Sequence, residues 1–154
     1  MDEKIRRAIV QAVAQEPYAL AMGITLKELE TGYSVVEMRC RPQQMDNIYQ
    51  RTHGGAIFGL IDEAFETACQ THGTIAVALN VSVTYVASPQ PGVLLRAVAR
   101  ETSRTRRTAN YDIRVSDDAG NPIASCQALA YRTGKPIRTL LERPGQRSAP
   151  EAPP

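Results

Sequence analysis

Residues 53–65 read HGGAIFGLIDEAF, in which His53 and two glycines lead into an apolar pattern that contains Asp62. The first N–H groups of a helix have no partner within the helix and carry a fractional positive charge, so they can hold an anion or a polarised carbonyl oxygen. Glycine lets a ligand approach this backbone because it has no Cβ. The N–H of Gly54 or Gly55 is therefore a candidate oxyanion donor. Alternatively, the glycine pair only permits a tight turn and close packing.

Three carboxylates on the same predicted helix face different directions. With Ile57 at zero and roughly 100° per residue, the apolar stripe spans about −60° to 80°. Asp62 then falls at about 140°, at the border of the buried face, whereas Glu66 and Glu63 fall on the polar face at about 180° and 240°. A carboxylate at the border of an apolar site can act as a nucleophile or as a general base with a raised pKa. The alternative is that all three carboxylates are solvated.

The other reactive residues do not form a recognisable site. The three cysteines, Cys40, Cys69 and Cys126, are far apart, odd in number and without CxxC spacing, which predicts neither a disulfide framework nor a zinc site. His53 and His72 lack the spacing of metal ligands. A GxSxG nucleophile motif is also absent. We therefore expect no metal and no cofactor.

The composition restricts the class of protein. The chain has 154 residues, of which 43% are hydrophobic, and this is the size of one domain with a buried core. A formal net charge of +2 is too even for a protein dedicated to nucleic acid or to a membrane surface. There is no apolar stretch of signal-peptide length, and none of the about 20 residues that span a membrane. These features predict a soluble, cytoplasmic protein.

The rest of the sequence predicts the elements that position these groups. Apolar residues at helical spacing predict a helix over 2–15, closed by Pro17, and two alternating runs predict a hairpin that turns at Gly32. The most convincing helix covers 55–72, and four strand-like runs with short links follow it. Short links favour antiparallel pairing, so we expect an α+β fold in which a mostly antiparallel sheet of about six strands curls around one buried helix. The predicted organisation is an N-terminal helix over 1–17, one domain over 18–134 and a flexible Pro- and Arg-rich tail over 135–154.

Residues 53–55 at the start of the predicted helix, which we call the helix mouth, are also part of a longer signature. It resembles the pattern N-x5-HGG-x2-F-x-L-x-D-x-AF of the hotdog-fold acyl-CoA thioesterases, in particular the PaaI-like branch named after phenylacetic acid degradation. The later segments LNVSVTYVASPQPGVLLRAVARE and YDIRVSDDAGNPIASCQALAYRT resemble two central strands and the closing hairpin of that family. The resemblance covers roughly residues 18–134 and implies the hotdog fold. The residues that match the signature are Asn47, His53, Gly54, Gly55, Phe58, Leu60, Asp62, Ala64 and Phe65.

The resemblance implies a role for each polar residue of the signature. Asp62 would attack the thioester carbonyl or activate water, and the backbone N–H of Gly54 would polarise that carbonyl. Asn47 would orient the water or the thioester, and His53 would support the loop. The family's active sites lie between two subunits, so the resemblance also implies a homo-oligomer, either a dimer or a dimer of dimers. No metal or cofactor is implied.

Further residues are candidates for contact with the substrate. The phosphates of coenzyme A call for cations, and the stretch RETSRTRRTAN supplies them where two strands meet, at the place where the family often has its CoA-contacting loop. A charged, solvated strand edge would explain the same arginines. The sequence does not identify the acyl group of the substrate, because Ile48 and the bulky residues 49–52 differ from the corresponding loop of many family members. The substrate- or CoA-binding candidates are Gly55, Phe58, Tyr85, Arg104, Arg106 and Arg107.

Two other functions compete with acyl-CoA hydrolysis. A hotdog hydratase or dehydratase would need a carboxylate and a histidine aimed at the substrate, and the position of His53 beside the glycines argues against that arrangement. A non-catalytic acyl-CoA-binding or regulatory module would need no carboxylate. The acidic residue at position 62 favours catalysis, because a binding protein has little use for a partly buried carboxylate.

Overall fold

The computed structural model describes residues 1–137, which form four helices and six strands. The predicted hairpin turns at Gly32 as expected, and the four later runs are all strands. The long helix begins one residue earlier than predicted and ends two residues earlier. The elements are α1 (Glu3–Val13), α2 (Pro17–Met22), β1 (Thr25–Glu30), β2 (Tyr33–Arg39), α3 (Pro42–Met45), α4 (Gly54–Gln70), β3 (Thr74–Tyr85), β4 (Leu94–Arg104), β5 (Thr108–Asp117) and β6 (Pro122–Pro136).

The six strands make one sheet in which every pair is antiparallel. Their order is β1-β2-β4-β5-β6-β3, so the strand that follows α4 crosses to the far edge of the sheet. The predicted α+β fold is therefore confirmed, with a sheet that is wholly rather than mostly antiparallel.

Helix α4 is the centre of the core. Its residues Leu60, Ile61 and Ala64 have no exposed surface, and they pack against apolar side chains of β2, β4 and β5. The ring of Phe65 meets the ring of Tyr111 edge to face, with 5.3 Å between centroids. Each large side chain buried in this way stabilises the fold by about 1.5–3 kcal/mol relative to exposure. The sheet wraps α4 because an all-round apolar helix needs cover on most of its surface.

The N-terminal segment differs from the prediction. The helix predicted over 2–15 ends at Val13, and Pro17 begins a second helix, since proline has no N–H to lose at the first helical position. Pro42 likewise begins α3 instead of ending β2. At the other end, β6 continues to Pro136, so the first residues of the predicted tail belong to the sheet. The rest of that predicted tail lies outside the described residues.

Strand β3 lies at an edge of the sheet. It pairs with β6 on one side, and no strand within residues 1–137 pairs with its other side. Large apolar side chains on it are half exposed, including Val77 (48%), Leu79 (56%) and Tyr85 (50%). An edge strand that is long and apolar is a template for pairing with another chain.

Candidate active site

His53 caps the start of α4 with its own side chain. The Nδ1 atom of His53 accepts a hydrogen bond from the N–H of Gly55 at 2.9 Å, and the His53 N–H donates to the Met45 carbonyl at 2.6 Å. Because Nδ1 is the acceptor, a neutral His53 ring carries its proton on Nε2. The N–H of Gly55 is therefore engaged, and Gly54 is the one of the two glycines whose N–H stays available as a candidate oxyanion donor.

Gly54 is the first residue of the helix, and its N–H has no acceptor among residues 1–137. Its carbonyl accepts a hydrogen bond from the Tyr85 hydroxyl at 3.0 Å, so the Tyr85 ring covers this glycine. A Cβ at Gly54 would lie 3.2 Å from Cζ of Tyr85, and a Cβ at Gly55 would lie 3.2 Å from Nδ1 of His53. The close-packing explanation thus holds for both glycines, and Gly54 also offers a free amide at the positive end of a helix.

Asn47 organises the loop that precedes α4. Its Oδ1 accepts hydrogen bonds from the N–H groups of Tyr49, at 2.9 Å, and of Arg51, at 3.3 Å. The backbone N–H of Asn47 donates to the Arg51 carbonyl at 2.8 Å. The side-chain NH₂ of Asn47 has no partner in the part of the chain that the structure describes, so it is the group with which Asn47 could reach a substrate. Asn47, Gly54 and Tyr85 line one open cleft of about 490 Å³.

Asp62 is half-buried and lies outside this cleft. Burial raises the pKa of its carboxyl above the ordinary value, and no hydrogen bond or ion pair to this carboxylate occurs within residues 1–137. Asp62 follows Gly54 by eight residues, so the two are about 12 Å apart along the axis of the same helix. One chain therefore holds the carboxylate and the free amide too far apart to act together on one carbonyl group.

Phe58 shares a helix face with Asp62. The two residues are four apart on α4, the spacing at which side chains are neighbours. Phe58 is 37% exposed, which is unusual on a helix whose other large apolar residues are buried. An exposed aromatic ring beside an unpaired carboxylate is suited to hold the apolar part of a ligand.

The helix-angle prediction was correct for Asp62 and Glu66 and wrong for Glu63. Glu63 is 3% exposed, although its angle placed it on the polar face. The link between α1 and α2 covers that side of the helix and brings Glu16 close to Glu63. Burial, followed by the negative charges of Glu16 and Glu66, raises the pKa of Glu63 to about 8. The expectation that all three carboxylates are solvated fails for Asp62 and Glu63. Glu66 is exposed, although partial burial of its carboxyl and the negative charges of Glu16 and Asp62 raise its pKa to about 7.

The three candidate arginines lie far from the helix mouth of their own chain. Arg104 contacts Glu101 at 3.3 Å, and Glu101 also contacts Nε2 of His72, just beyond the last turn of α4, at 2.7 Å. Arg106 and Arg107 follow in the turn between β4 and β5, and both are exposed. Since α4 has 17 residues, this end of the helix is about 25 Å from Gly54. His72 therefore has a specific carboxylate partner in Glu101.

One close contact on α4 was not predicted from the sequence. The ring of Tyr18, in α2, lies directly over Gly59, where a Cβ would come 2.1 Å from the Tyr18 hydroxyl oxygen. A glycine in the middle of a helix costs stability, so it often marks a close approach. That signal was available at Gly59, but nothing in the sequence identified Tyr18 as the partner.

Comparison with known proteins decides the family. The model of the thioesterase superfamily matches residues 49–124, which include the helix mouth and α4. A protein of Archaeoglobus fulgidus is 36% identical over 70% of each chain, and the acyl-coenzyme A thioesterase PaaI of Escherichia coli is 31% identical over 77% of this chain and 84% of its own. The chain belongs to the thioesterase superfamily. Within this superfamily it is a PaaI-like hotdog thioesterase, and the resemblance inferred from the signature is confirmed.

Solved structures agree with this assignment. The structure of E. coli PaaI matches with a TM-score of 0.82 and 28% identity over 86% of this chain and 96% of that one. A Streptococcus mutans protein solved with bound acetyl-CoA matches with a TM-score of 0.69 and 26% identity over 73% of this chain and 90% of that one. The thioesterase described here is accordingly a thioester hydrolase. No helix that the structure describes, within residues 1–137, could cross a membrane.

Proposed function

We propose that this thioesterase hydrolyses acyl-CoA thioesters to a free acid and coenzyme A. The observation that carries the proposal is that one helix holds both an amide at Gly54 and a half-buried carboxylate at Asp62, neither of which has a hydrogen-bond partner among residues 1–137. The name of the E. coli relative and the acetyl-CoA bound to the S. mutans protein support the same substrate class. A cytoplasmic location fits three cysteines that are buried and unpaired.

The chemistry needs few groups because a thioester carbonyl is already activated. The Asp62 carboxylate either attacks the carbonyl carbon to form an anhydride, which water then cleaves, or takes a proton from the water that attacks. In both routes the C–S bond breaks and coenzyme A leaves as a thiolate that gains a proton. The N–H of Gly54 stabilises the oxyanion that develops on the carbonyl oxygen. The Asn47 amide would donate to the water or to the thioester.

The active site requires a second copy of the chain. Asp62 and Gly54 of one chain are about 12 Å apart along the helix, but a partner helix running antiparallel would bring its own Gly54 beside Asp62. The apolar edge of β3 offers the surface for such a pairing, since two copies of that edge would extend the sheet across both chains. We propose a homodimer, alone or as half of a tetramer, with two composite sites.

The same arrangement gives the arginines a role. Asp62 and His72 are ten residues apart, which is about 15 Å along the axis, so the Arg104 side of the sheet lies beyond a thioester bound at Asp62. The long pantetheine arm of coenzyme A would bridge this distance and bring its phosphates to Arg104, Arg106 or Arg107. Tyr85, which covers the helix mouth, would lie near the acyl group.

The direct test is release of free thiol from a panel of acyl-CoAs that includes short-chain, medium-chain and phenylacetyl types. We expect turnover of at least one of them, and the preferred member identifies the acyl group. Tight binding of acyl-CoA by the assembled protein without thiol release would instead assign a non-catalytic binding module.

Mixing two inactive variants should restore activity if the site is shared between chains. Asp62→Asn removes the carboxylate, and Gly54→Pro removes the amide hydrogen. In a mixed dimer, one site combines both substituted residues, and the other site combines the unchanged Asp62 of one chain with the unchanged Gly54 of the other. Random pairing of equal amounts gives half mixed dimers, so about a quarter of wild-type activity should return.

The experiment uses co-expressed variants with different affinity tags, so that mixed dimers can be isolated and counted. Each variant alone is the matched control and should have almost no activity. If isolated mixed dimers are as inactive as the two parents, then Asp62 and Gly54 do not come from different chains.

A further inference from the structure

A second group of carboxylates lies outside the proposed active site. Glu63 and Glu66 project from α4 toward the link between α1 and α2, where Glu16 approaches them. We call these three residues the acidic triad. One carboxylate oxygen from each of the three residues lies within 4.8 Å of the other two, so three potential negative charges fit within the coordination sphere of a single ion.

The most buried member of the triad has an unsatisfied oxygen. Glu63 is 3% exposed, and its Oε1 is buried without a hydrogen-bond partner in residues 1–137. Buried carboxylates are normally paired or bound to a cation, because an unpaired one is costly. The charged groups that act on Glu63 are all acids, namely Glu16 from the link and Asp62 and Glu66 from its own helix. No lysine or arginine in the described part of the chain forms an ion pair with the triad.

Glu16 directs its carboxylate toward Glu63, and the two side chains share a hydrogen bond when one of them is protonated. It is the N-cap residue of α2, a position where the shorter side chain of an aspartate or a serine commonly accepts a hydrogen bond from the first turn. Its side chain makes no such bond. Its carboxylate lies instead within reach of Glu63 and Glu66.

We propose that the acidic triad binds one divalent cation of the size of Ca²⁺, which ties the α1–α2 link to the central helix. Hard divalent cations prefer carboxylate oxygens, and Ca²⁺ accepts them in flexible geometry. Glu16 and Glu66 are accessible to solvent, so water can fill the remaining coordination positions.

The spacing of the oxygens favours the larger cation. With Ca–O distances of 2.3–2.6 Å, two ligands of one ion can be up to about 5 Å apart, which accommodates the limit of 4.8 Å. With Mg–O distances of 2.0–2.1 Å, the largest separation is about 4.2 Å, and Mg²⁺ also gives up its water reluctantly. Any separation up to 4.8 Å suits Ca²⁺, whereas Mg²⁺ requires the oxygens to lie within about 4.2 Å of one another and to displace its bound water.

Cation binding would strengthen a lightly held part of the fold. Helix α1 is anchored chiefly by Ile9 against Leu29 and Ile137, and by a hydrogen bond from the Arg6 guanidinium to the Leu29 carbonyl at 3.1 Å. Beside the triad, a cavity of about 580 Å³ separates α1 from α4. A cation between Glu16 and the two α4 carboxylates would fasten this segment at its other end.

Isothermal titration calorimetry on the assembled protein, stripped with a chelator and dialysed, tests the proposal. We expect one Ca²⁺ per chain with a Kd of about 0.1–1 mM, the range of weak sites, and weaker binding of Mg²⁺. At 10 mM CaCl₂ the melting temperature should rise by about 3–11 °C over a KCl control of equal ionic strength. The N-terminal helix should also become more resistant to trypsin, which cleaves after Arg6 and Arg7.

Three isosteric variants make the test specific. Glu63→Gln and Glu66→Gln should each weaken Ca²⁺ binding by about tenfold or more and abolish the shift in melting temperature. Glu3→Gln, which alters an exposed acid on α1, should bind as the wild type does. Because Glu66 is exposed, its variant remains informative if Glu63→Gln folds poorly. Absence of Ca²⁺ uptake by the wild type, equal uptake by the triad variants or tighter binding of Mg²⁺ would each overturn the proposal.

Discussion

Replacing Asp62 with Asn should lower kcat by a factor of about 100 to 10,000 on the preferred acyl-CoA, the range expected when a general base or nucleophile is lost. The asparagine has nearly the same shape, so substrate binding should change little. Since burial raises the pKa of the Asp62 carboxyl, the wild-type kcat/KM should fall as the pH drops through a value above the ordinary range of aspartate. Thiol release measured over a pH series gives both results.

The control must show that activity is lost because the carboxylate is missing and not because the protein folds differently. Asp62 is half-buried and unpaired, so the neutral asparagine should leave the melting temperature unchanged or raise it. Asp118→Asn, which alters an exposed aspartate in the turn before β6, should retain full activity. An Asp62→Asn protein that folds, assembles and still turns over at a tenth of the wild-type rate or better would remove Asp62 from the mechanism.

Replacing Gly54 with Pro should lower kcat by a factor of about 100 to 1,000, as the loss of one oxyanion donor does. Proline is favoured at the first position of a helix, where Gly54 lies, and it removes only the N–H that would face the substrate. The preceding residue, His53, has φ −63° and ψ 137°, a conformation that a following proline accepts. The variant should therefore fold while lacking the amide hydrogen.

Gly54→Ala is the matched control for this change. It keeps the N–H but adds a Cβ at 3.2 Å from the Tyr85 ring, so it reproduces the steric effect of proline without removing the donor. Tyr85 is half exposed and can shift by a few tenths of an ångström. We expect the alanine variant to retain most of its kcat. Equal losses in both variants would mean that close packing against Tyr85, and not the amide, explains the glycine.

The sequence was sufficient where local pattern determines the structure. The apolar stripe of α4, the turn at Gly32 and the alternating runs of β3 to β6 predict the elements, because helix and strand periods differ and short links pair neighbouring strands. The matched signature predicted the family and the positions of Asn47, Gly54 and Asp62 within it. These features depend on residues close together in the chain.

The parts that failed depend on contacts between distant segments. The burial of Glu63 results from the α1–α2 link, which no helix angle can include. The hydrogen bond from the Gly55 N–H to His53 could not be predicted without the rotamer of the His53 ring. The hydrogen bond from the Tyr85 hydroxyl to Gly54 could not be predicted without the position of β3 relative to α4. The proposed site takes the carboxylate and the amide from two chains, because the rise of the helix separates them within one chain. A single sequence does not describe the partner chain that such a site needs.

The strand order has a consequence for synthesis on the ribosome. Strand β3 is made directly after α4, but its hydrogen-bonding neighbour, β6, is the last strand of the sheet to emerge. While β4 and β5 are translated, β3 therefore has no partner within its own chain, and its apolar side chains are open to premature contacts. A nascent chain that stalls before β6 would expose both edges of β3. We infer that the vulnerable interval in the biogenesis of this protein lies between the release of Tyr85 and the release of Pro136.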